Sequence, residues 1–404
     1  MKVINVITPH FTPEITAAAH RMDAVVSTLG TEYKVNVFTL TERGRKAFDK
    51  ENQVSDNIIV HSINLPKYTK SLFFIRALFE LYYSIRLSQK ASKTPADLTF
   101  VTSPYMFLIP AAALFAGKGK KIADVRDLVW CYLPKKNWFQ RYIRRNFEKL
   151  VCRFLTHFDH VTVTNPVERT WLLKHTSLEE EKISILSNGI SLDRFERLAS
   201  LKYHNKNSPF VITYIGNIGN GQDLQPLINT IKGMRDVKLN IIGDGIEFKK
   251  FFNLVRSENL SNIHLHGKLR WNRVLPFYQS SSVLYARLGE NYNSAIPSKL
   301  FEYLSTGLPV VFHGSGVAKD FLGQFENTFI VDNEVSGSLA SILNGLRQKQ
   351  KLLSFSNREM IESFYLRENI NRKLFSIIDG LLSTAELTAI PEDPMLLVLH
   401  EDVF

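Results

Sequence analysis

The chain has 404 residues, 45% of them hydrophobic and 22% charged, ordinary proportions for a globular protein large enough for two or three domains. Its two cysteines, Cys131 and Cys152, lie outside any CxxC or His-rich spacing, which argues against a disulfide framework or a zinc site. A net charge of +11 and a pI near 9.4 call for an anionic partner without choosing among nucleic acid, a membrane surface and phosphorylated small molecules.

The first residues, MKVINVITP, read as a β-strand and lack the tripartite pattern of a signal peptide. The longest uncharged run, PYMFLIPAAALFAG at 104–117, is shorter than the roughly 20 apolar residues that cross a bilayer, so a buried helix is expected there. The expected location is therefore the cytoplasm.

Apolar β-branched runs alternate with helical patterns along the first half: KVINVITP (2–9), YKVNVFTL (33–40), NIIVHSI (57–63), DLTFVTS (97–103), KIADV (121–125) and HVTVTN (160–165). After the polar break KYHNKNSP (202–209) the alternation restarts with FVITYIG (210–216), VKLNIIG (237–243), IHLHG (263–267), SSVLYARL (281–288), LPVVFHG (308–314) and NTFIVD (327–332). Strands apolar on both faces belong to parallel sheets covered by helices. Two doubly wound α/β domains follow, 1–190 and 209–380, joined by a linker at 191–208 and followed by a tail at 381–404. Ligands of such sheets sit beyond the carboxyl ends of the strands, and two such crevices can face one another.

Two early helices are unusual. SLFFIRALFELYYSIRLS (71–88) is apolar almost all round. NWFQRYIRRNFEKLVCRFL (137–155) sets Phe139, Ile143, Phe147, Leu150, Val151 and Phe154 opposite Arg141, Arg144, Arg145, Lys149 and Arg153. Either this is a core helix with a solvated basic face, or an interfacial helix whose cations, led by Arg141, Arg144, Arg145 and Lys149, meet anionic lipid. Nucleic acid is not expected, since no recognition motif accompanies the charge.

The glycine-rich turn GNIGNG (216–221) follows a strand and is expected to open the helix DLQPLINTI, so its amides are candidates to approach an anion, and GDG (243–245) repeats the arrangement. A dinucleotide site is disfavoured because the unit begins near residue 210 and no hydride-transfer partner stands out. In SAIPSKLFEYLSTGLPVV (294–311), a helix is expected from Pro297 to the Gly307 stop. Lys299 then falls in the first turn, where a cation is disfavoured by roughly 0.3–1 kcal/mol. A diphosphate at that helix start would remove the misfit by pairing with the ammonium. Otherwise Lys299 snorkels into solvent or pairs with Glu302, three residues on.

Assembled in order, YIGNIGNGQDLQPLINTI, IIGDGIEFKKF, HLHGKLRWNRVLPFYQSSSVLYARL and IPSKLFEYLSTGLPVV, with SNGISLDRF (187–195) before them and MKVINVITPHFTPEITAAAHRM at the start, resemble glycosyltransferase family 4. The resemblance spans nearly the whole chain and is closest to the branch that builds bacterial surface polysaccharides such as capsule, O-antigen and exopolysaccharide. It implies the GT-B fold, two Rossmann-like domains facing each other across a cleft, with the last helix returning to the first domain.

The resemblance further implies a retaining, metal-independent transfer of a hexosyl or N-acetylhexosaminyl group from a nucleoside-diphosphate sugar, UDP foremost, to a glycan or polyprenyl-diphosphate-linked acceptor at the inner membrane face. Glu302 would hold the ribose, and Gly267, Lys268, Leu269 and Arg270 the base. Gly216, Asn217, Ile218, Gly219, Gln222, Arg287, Pro297, Ser298, Lys299 and Leu300 would surround the diphosphate. The family's first glutamate is replaced by Ser294, leaving Glu290 and Asn293 beside it for the donor sugar, and the family's Arg and Lys by Asn217 and Gln222. Lys299 and Arg287 are the cations that can compensate. With Lys299 and Glu302, Arg126 and Asp127 in ADVRDLVW are the catalytic candidates, and Glu14, Thr16, His20 and Arg21 the acceptor ones. A nucleotide-sugar 2-epimerase and an inactive nucleotide- or lipid-binding scaffold are the alternatives.

Overall fold

The computed structural model of the chain describes residues 1–14, 16–42, 52–66, 73–203, 209–234, 236–331, 335, 337–349 and 353–383. Ile15, residues 204–208 of the expected linker and the tail from 384 lie outside the described residues. Two compact units divide after Ser187.

The first unit carries β1 (Val3–Ile7), β2 (Lys34–Glu42), β3 (Asn52–Ser55), β4 (Ile58–Leu65), β5 (Leu98–Thr102), β6 (Lys120–Asp124), β7 (His160–Val163) and β8 (Ile183–Ile185). They form one sheet in the order β3-β4-β2-β1-β5-β6-β7-β8, parallel except for the edge hairpin β3–β4. Its helices are α1 (Ala17–Leu29), α2 (Phe73–Ser92), α3 (Leu108–Phe115), α4 (Trp138–Leu155) and α5 (Pro166–His175). One face packs on Leu87, Leu108, Ala112, Val151 and Leu155, and the other on Met22, Val26, Leu29, Leu374 and Ile378. Covered on both faces, β5 and β7 are buried along their whole length, their threonines and His160 included.

The second unit carries α6 (Leu192–Ala199), β9 (Phe210–Ile215), α7 (Gln225–Ile231), β10 (Val237–Ile242), α8 (Phe248–Ser257), β11 (Ile263–Gly267), α9 (Trp271–Ser280), β12 (Val283–Arg287), α10 (Lys299–Thr306), β13 (Val310–His313), α11 (Val317–Leu322), β14 (Thr328–Val331), α12 (Ser338–Gln348) and α13 (Asn357–Phe364). The last helix, α14 (Arg367–Leu382), packs in the first unit against α1. The second sheet is parallel throughout, in the order β11-β10-β9-β12-β13-β14. Strand order reverses between β9 and β12, the topological switch point where doubly wound sheets bind ligands.

The helix expected from Pro297 begins two residues later, at Lys299, because Ser298 is the cap residue and Pro297 lies outside it, accepting a hydrogen bond from Leu300 N–H at 3.0 Å. Gly307 ends it at φ +83°, in the left-handed region that favours glycine. Leu300, Phe301 and Leu304 are buried, each contributing about 1.5–3 kcal/mol, which fixes the helix face. The stretch expected as linker holds α6, and β3 and β8 were not foreseen. Among the described residues no helix is long and apolar enough to cross a membrane.

Candidate active site

At the switch point β9 and β12 pair through only Ile212–Val283 and Thr213–Leu284 before diverging. The buried hydroxyl of Tyr303 fills the divergence: it accepts from Ile215 N–H at 2.9 Å and has the carbonyls of Ile215 and Tyr285, each at 3.3 Å, to donate to. A side chain of α10 is thereby fastened to both strand ends, and the helix start is held over the gap. Gly289 N–H donates to Gly221 O at 2.7 Å and ties the loop after β12 to the loop after β9.

Lys299 lies inside this arrangement. Its ammonium is buried without a hydrogen-bond partner, 3.9 Å from the centroid of the Tyr214 ring. A Cβ placed on Gly216, whose φ is +144°, would stand 2.7 Å from the ammonium, so the first glycine of GNIGNG makes room for it. Neither the solvent-facing lysine nor the intrahelical pair with Glu302 is found. Burial alone pulls the Lys299 amine down from 10.5 to about 7. An amine so placed gains from any anion that reaches it.

The cradle expected over 216–219 is narrower than its sequence implies. Gly216 N–H donates to Ile242 O and Ile218 N–H to Asp244 O, both at 2.9 Å, while Gly219 N–H donates to Gln222 Oε1 at 3.3 Å. Asn217 also donates its side-chain amide to Gln222 Oε1, at 3.1 Å. The second glycine pair serves packing between loops: a Cβ on Gly243 would fall 1.8 Å from Gly216 O. Nor does the turn open directly into a helix, since α7 starts at Gln225. Leu300 N–H is committed to Pro297 O, and Ser298 caps no amide with its side chain.

Arg287, at the end of β12, does not stand ready for a ligand. Its guanidinium reaches Asp223 Oδ2 at 3.3 Å and the ring nitrogens of His313 at 2.9 and 3.0 Å. Among the donor-sugar candidates, Glu290 is exposed in a short helical turn, Ser294 is buried, and Asn293 holds the chain at 315–317 by accepting from Ser315 Oγ and Val317 N–H. Gly267 ends β11 with its carbonyl bonded to Gly243 N–H, and Arg270 is the backbone cap of α9, with Lys268 and Leu269 between them.

Glu302 carries the most specific contacts of the site. Arg194 of α6 donates Nη1 to Oε1 at 2.7 Å, and Tyr278 of α9 donates its hydroxyl to Oε2 at 2.8 Å. Neither partner was anticipated from sequence, although Arg194 belongs to the quoted SNGISLDRF stretch.

In the first unit the strand ends are dominated by Asp124, which is fully buried. It accepts from Thr102 and Thr162 hydroxyls at 2.8 and 2.9 Å and from Arg21 at 3.1 Å. Burial raises its carboxyl, but Arg21, Arg126 and the two hydroxyls outweigh that and hold it below the ordinary range. Arg21 also donates to Ser187 O. Asp127 is pushed up to about 6 by burial, against the pull of Arg126 and Tyr132, and buried Glu168 is pushed well above its ordinary value by burial and by Asp127. Of the acceptor candidates, Glu14 lines a small pocket with His10, Phe11, Thr41, Leu65 and Tyr105 and pairs with His10 at 2.8 Å. Thr16 caps α1 by accepting from Ala19 N–H, and neither His20 nor Arg21 lines that pocket. In α4, Arg141, Arg145 and Lys149 are exposed, whereas Arg144 is spent on Glu148 at 2.6 Å. Its buried face is Val151, Cys152 and Leu155; Phe139, Ile143 and Leu150, expected on the side opposite the cations, are exposed.

Two parallel, doubly wound units of this kind are the architecture of the GT-B class. Sequence comparison narrows the class. The family described as Glycosyl transferases group 1 matches residues 198–363, and that described as Glycosyltransferase Family 4 matches 22–194, leaving only 195–197 between them. The chain belongs to glycosyltransferase family 4 and is a nucleotide-sugar glycosyltransferase with the GT-B fold. Among proteins of curated function none matches it in sequence. Similar solved structures include a sucrose-phosphate synthase from Thermosynechococcus elongatus, at TM-score 0.76 and 14% identity over 95% of this chain and 100% of that one. Another is the apo form of the lipopolysaccharide outer core galactosyltransferase WaaB, at 0.60 and 15% over 93% and 100%. A third is HepE of Anabaena in complex with UDP and glucose, at 0.65 and 12% over 94% and 100%. At such identities these likenesses speak for the fold.

Proposed function

We propose that the chain transfers a sugar from a nucleoside-diphosphate sugar, UDP foremost, to a glycan or polyprenyl-diphosphate-linked acceptor with retention of anomeric configuration, as in bacterial surface polysaccharide synthesis. The unit of residues 188–366 takes the donor, and the first unit, which includes α14, the acceptor. The observation that carries the proposal is the buried, unpartnered ammonium of Lys299 beneath Gly216 at the switch point. There the diphosphate gains a cation at the start of α10. The bond from the anomeric carbon to the diphosphate oxygen breaks while the acceptor oxygen attacks from the same face, and the acceptor proton passes to the departing phosphate oxygen. Lys299 holds the charge that develops, so the step itself calls on no metal. Glu302 takes the ribose, the main chain at 267–270 the base, and Glu290 with the 293–294 turn borders the sugar. Arg126 and Asp127 are the first unit's catalytic candidates, and Glu14 its acceptor candidate.

The chain further docks on anionic membrane from the cytoplasmic side. Trp138 and Tyr142 of α4 are 72% and 62% exposed, Leu78 of α2 67% and Leu114 of α3 60%, on helices packed side by side, with Arg141, Arg145 and Lys149 beside them. The testing experiment is a thermal-shift panel of UDP-, GDP- and ADP-sugars. One of them raises the melting temperature of the wild type and does so far less in Lys299→Met; a panel without any shift overturns the proposal.

A further inference from the structure

The Glu302 carboxylate is gripped from two helices. Arg194 on α6 holds Oε1 at 2.7 Å and Tyr278 on α9 holds Oε2 at 2.8 Å. The guanidinium carbon of Arg194 lies 5.1 Å over the ring of Trp271, the first residue of α9, so the helix that supplies Tyr278 also supplies the platform on which Arg194 rests. Tyr278 is fully buried, while the Arg194 and Glu302 side chains keep 20% and 16% exposure. One edge of the carboxylate is thus sealed by protein and another stays open.

The count of lone pairs decides what that open edge can take. An ionised carboxylate offers about four acceptor sites, two on each oxygen. Arg194 and Tyr278 use one on each oxygen, so one site per oxygen remains. Two vicinal hydroxyls, each donating once, match that pair. A planar guanidinium stacked on an indole is suited to fixing the plane, which a lysine in its place is not. The bland alternative, a bridge fastening α6 to α10, leaves the apolar contact of those helices doing the same job: Phe195, Leu198, Leu300 and Leu304 are all buried.

We propose that Arg194, Tyr278 and Trp271 are positioning residues that set the plane of the Glu302 carboxylate, so that the site selects nucleotides with both ribose hydroxyls. This rests on the donor-site proposal above.

The experiment is calorimetric binding of UDP, GDP and ADP and of their 2′-deoxy counterparts to the full chain. The variants are Arg194→Gln, Arg194→Lys, Tyr278→Phe and Glu302→Gln. The wild type is expected to favour the ribonucleotide by about tenfold to a hundredfold, the weight of one hydrogen bond to a charged group. In Arg194→Gln and Tyr278→Phe that ratio falls toward unity, as in Glu302→Gln, while the deoxynucleotide affinity holds; Arg194→Lys recovers part of it. A helix-fastening role would weaken both nucleotides together and keep the ratio, and that result overturns the proposal. A wild type that binds no nucleoside diphosphate removes the donor-site proposal as well, which separates the two failures.

Discussion

The carboxyl ends of the two sheets handle buried charge in opposite ways. In the first unit Asp124 meets Arg21, two threonine hydroxyls and the field of Arg126, so its charge is balanced by the chain itself. In the second unit Lys299 has an aromatic face and no hydrogen-bond acceptor, so its charge is left for something else to balance. Removing one partner from the first arrangement would strand a buried charge, whereas the second already carries one that costs stability unless a ligand is present. A buried ammonium that the fold leaves without a hydrogen-bond partner is what the donor side has, a distinction that net charge or glycine spacing does not draw.

Asp124→Asn breaks the balanced end. It leaves the Arg21 guanidinium half-buried without its counter-ion, and the expected loss is about 3–5 kcal/mol in denaturant unfolding. A loss below about 1 kcal/mol, the ordinary weight of an exposed pair, would erase the contrast.

Lys299→Met tests the other end with the opposite sign. The folded amine sits near 7 against 10.5 in the unfolded chain, so the unfolded state binds more protons between those values and wild-type stability rises with pH across that window. The burial penalty is full below pH 7, of order 5 kcal/mol, and gone by about pH 10.5. Lys299→Met should therefore be more stable than wild type at pH 7 and equal to it near pH 10.5, with donor affinity weakened throughout. An anion beside the amine raises its pKa, so wild-type donor affinity should fall between pH 7 and 9 while that of the variant stays flat.

A smaller effect sharpens the comparison of surfaces. The exposed apolar residues of the first unit gather on α2, α3 and α4, whereas those of the second, such as Leu192, Ile246 and Phe364, lie on separate elements. Removing the charges of Arg141, Arg145 and Lys149 should weaken sedimentation with anionic vesicles, at about 1 kcal/mol per cation, and leave neutral vesicles unaffected. Arg144, tied to Glu148, should contribute less than the others.

Most of the sheet was legible because parallel strands are apolar on both faces. The exceptions were β3, whose NQVS is too polar and short, and β8, whose ISI is shorter still. Lys299 stood out because a cation in a first helical turn contradicts the helix dipole, a signal any reader of the chain can find. Its destination did not, since that depends on Tyr214 and Gly216, far away along the chain. The commitments of the loop amides, of Arg287 to Asp223 and of Glu302 to Arg194 and Tyr278 are likewise long-range and leave no periodic trace. The motif residues were legible in the chain, but their partners were invisible.

The most direct test of the donor site is a crystal structure with the nucleoside diphosphate that stabilises the chain best. The expected result has a β-phosphate oxygen within hydrogen-bond distance of the Lys299 ammonium, above Gly216. A diphosphate bound elsewhere, with that amine still against Tyr214 and no anion near it, would contradict it.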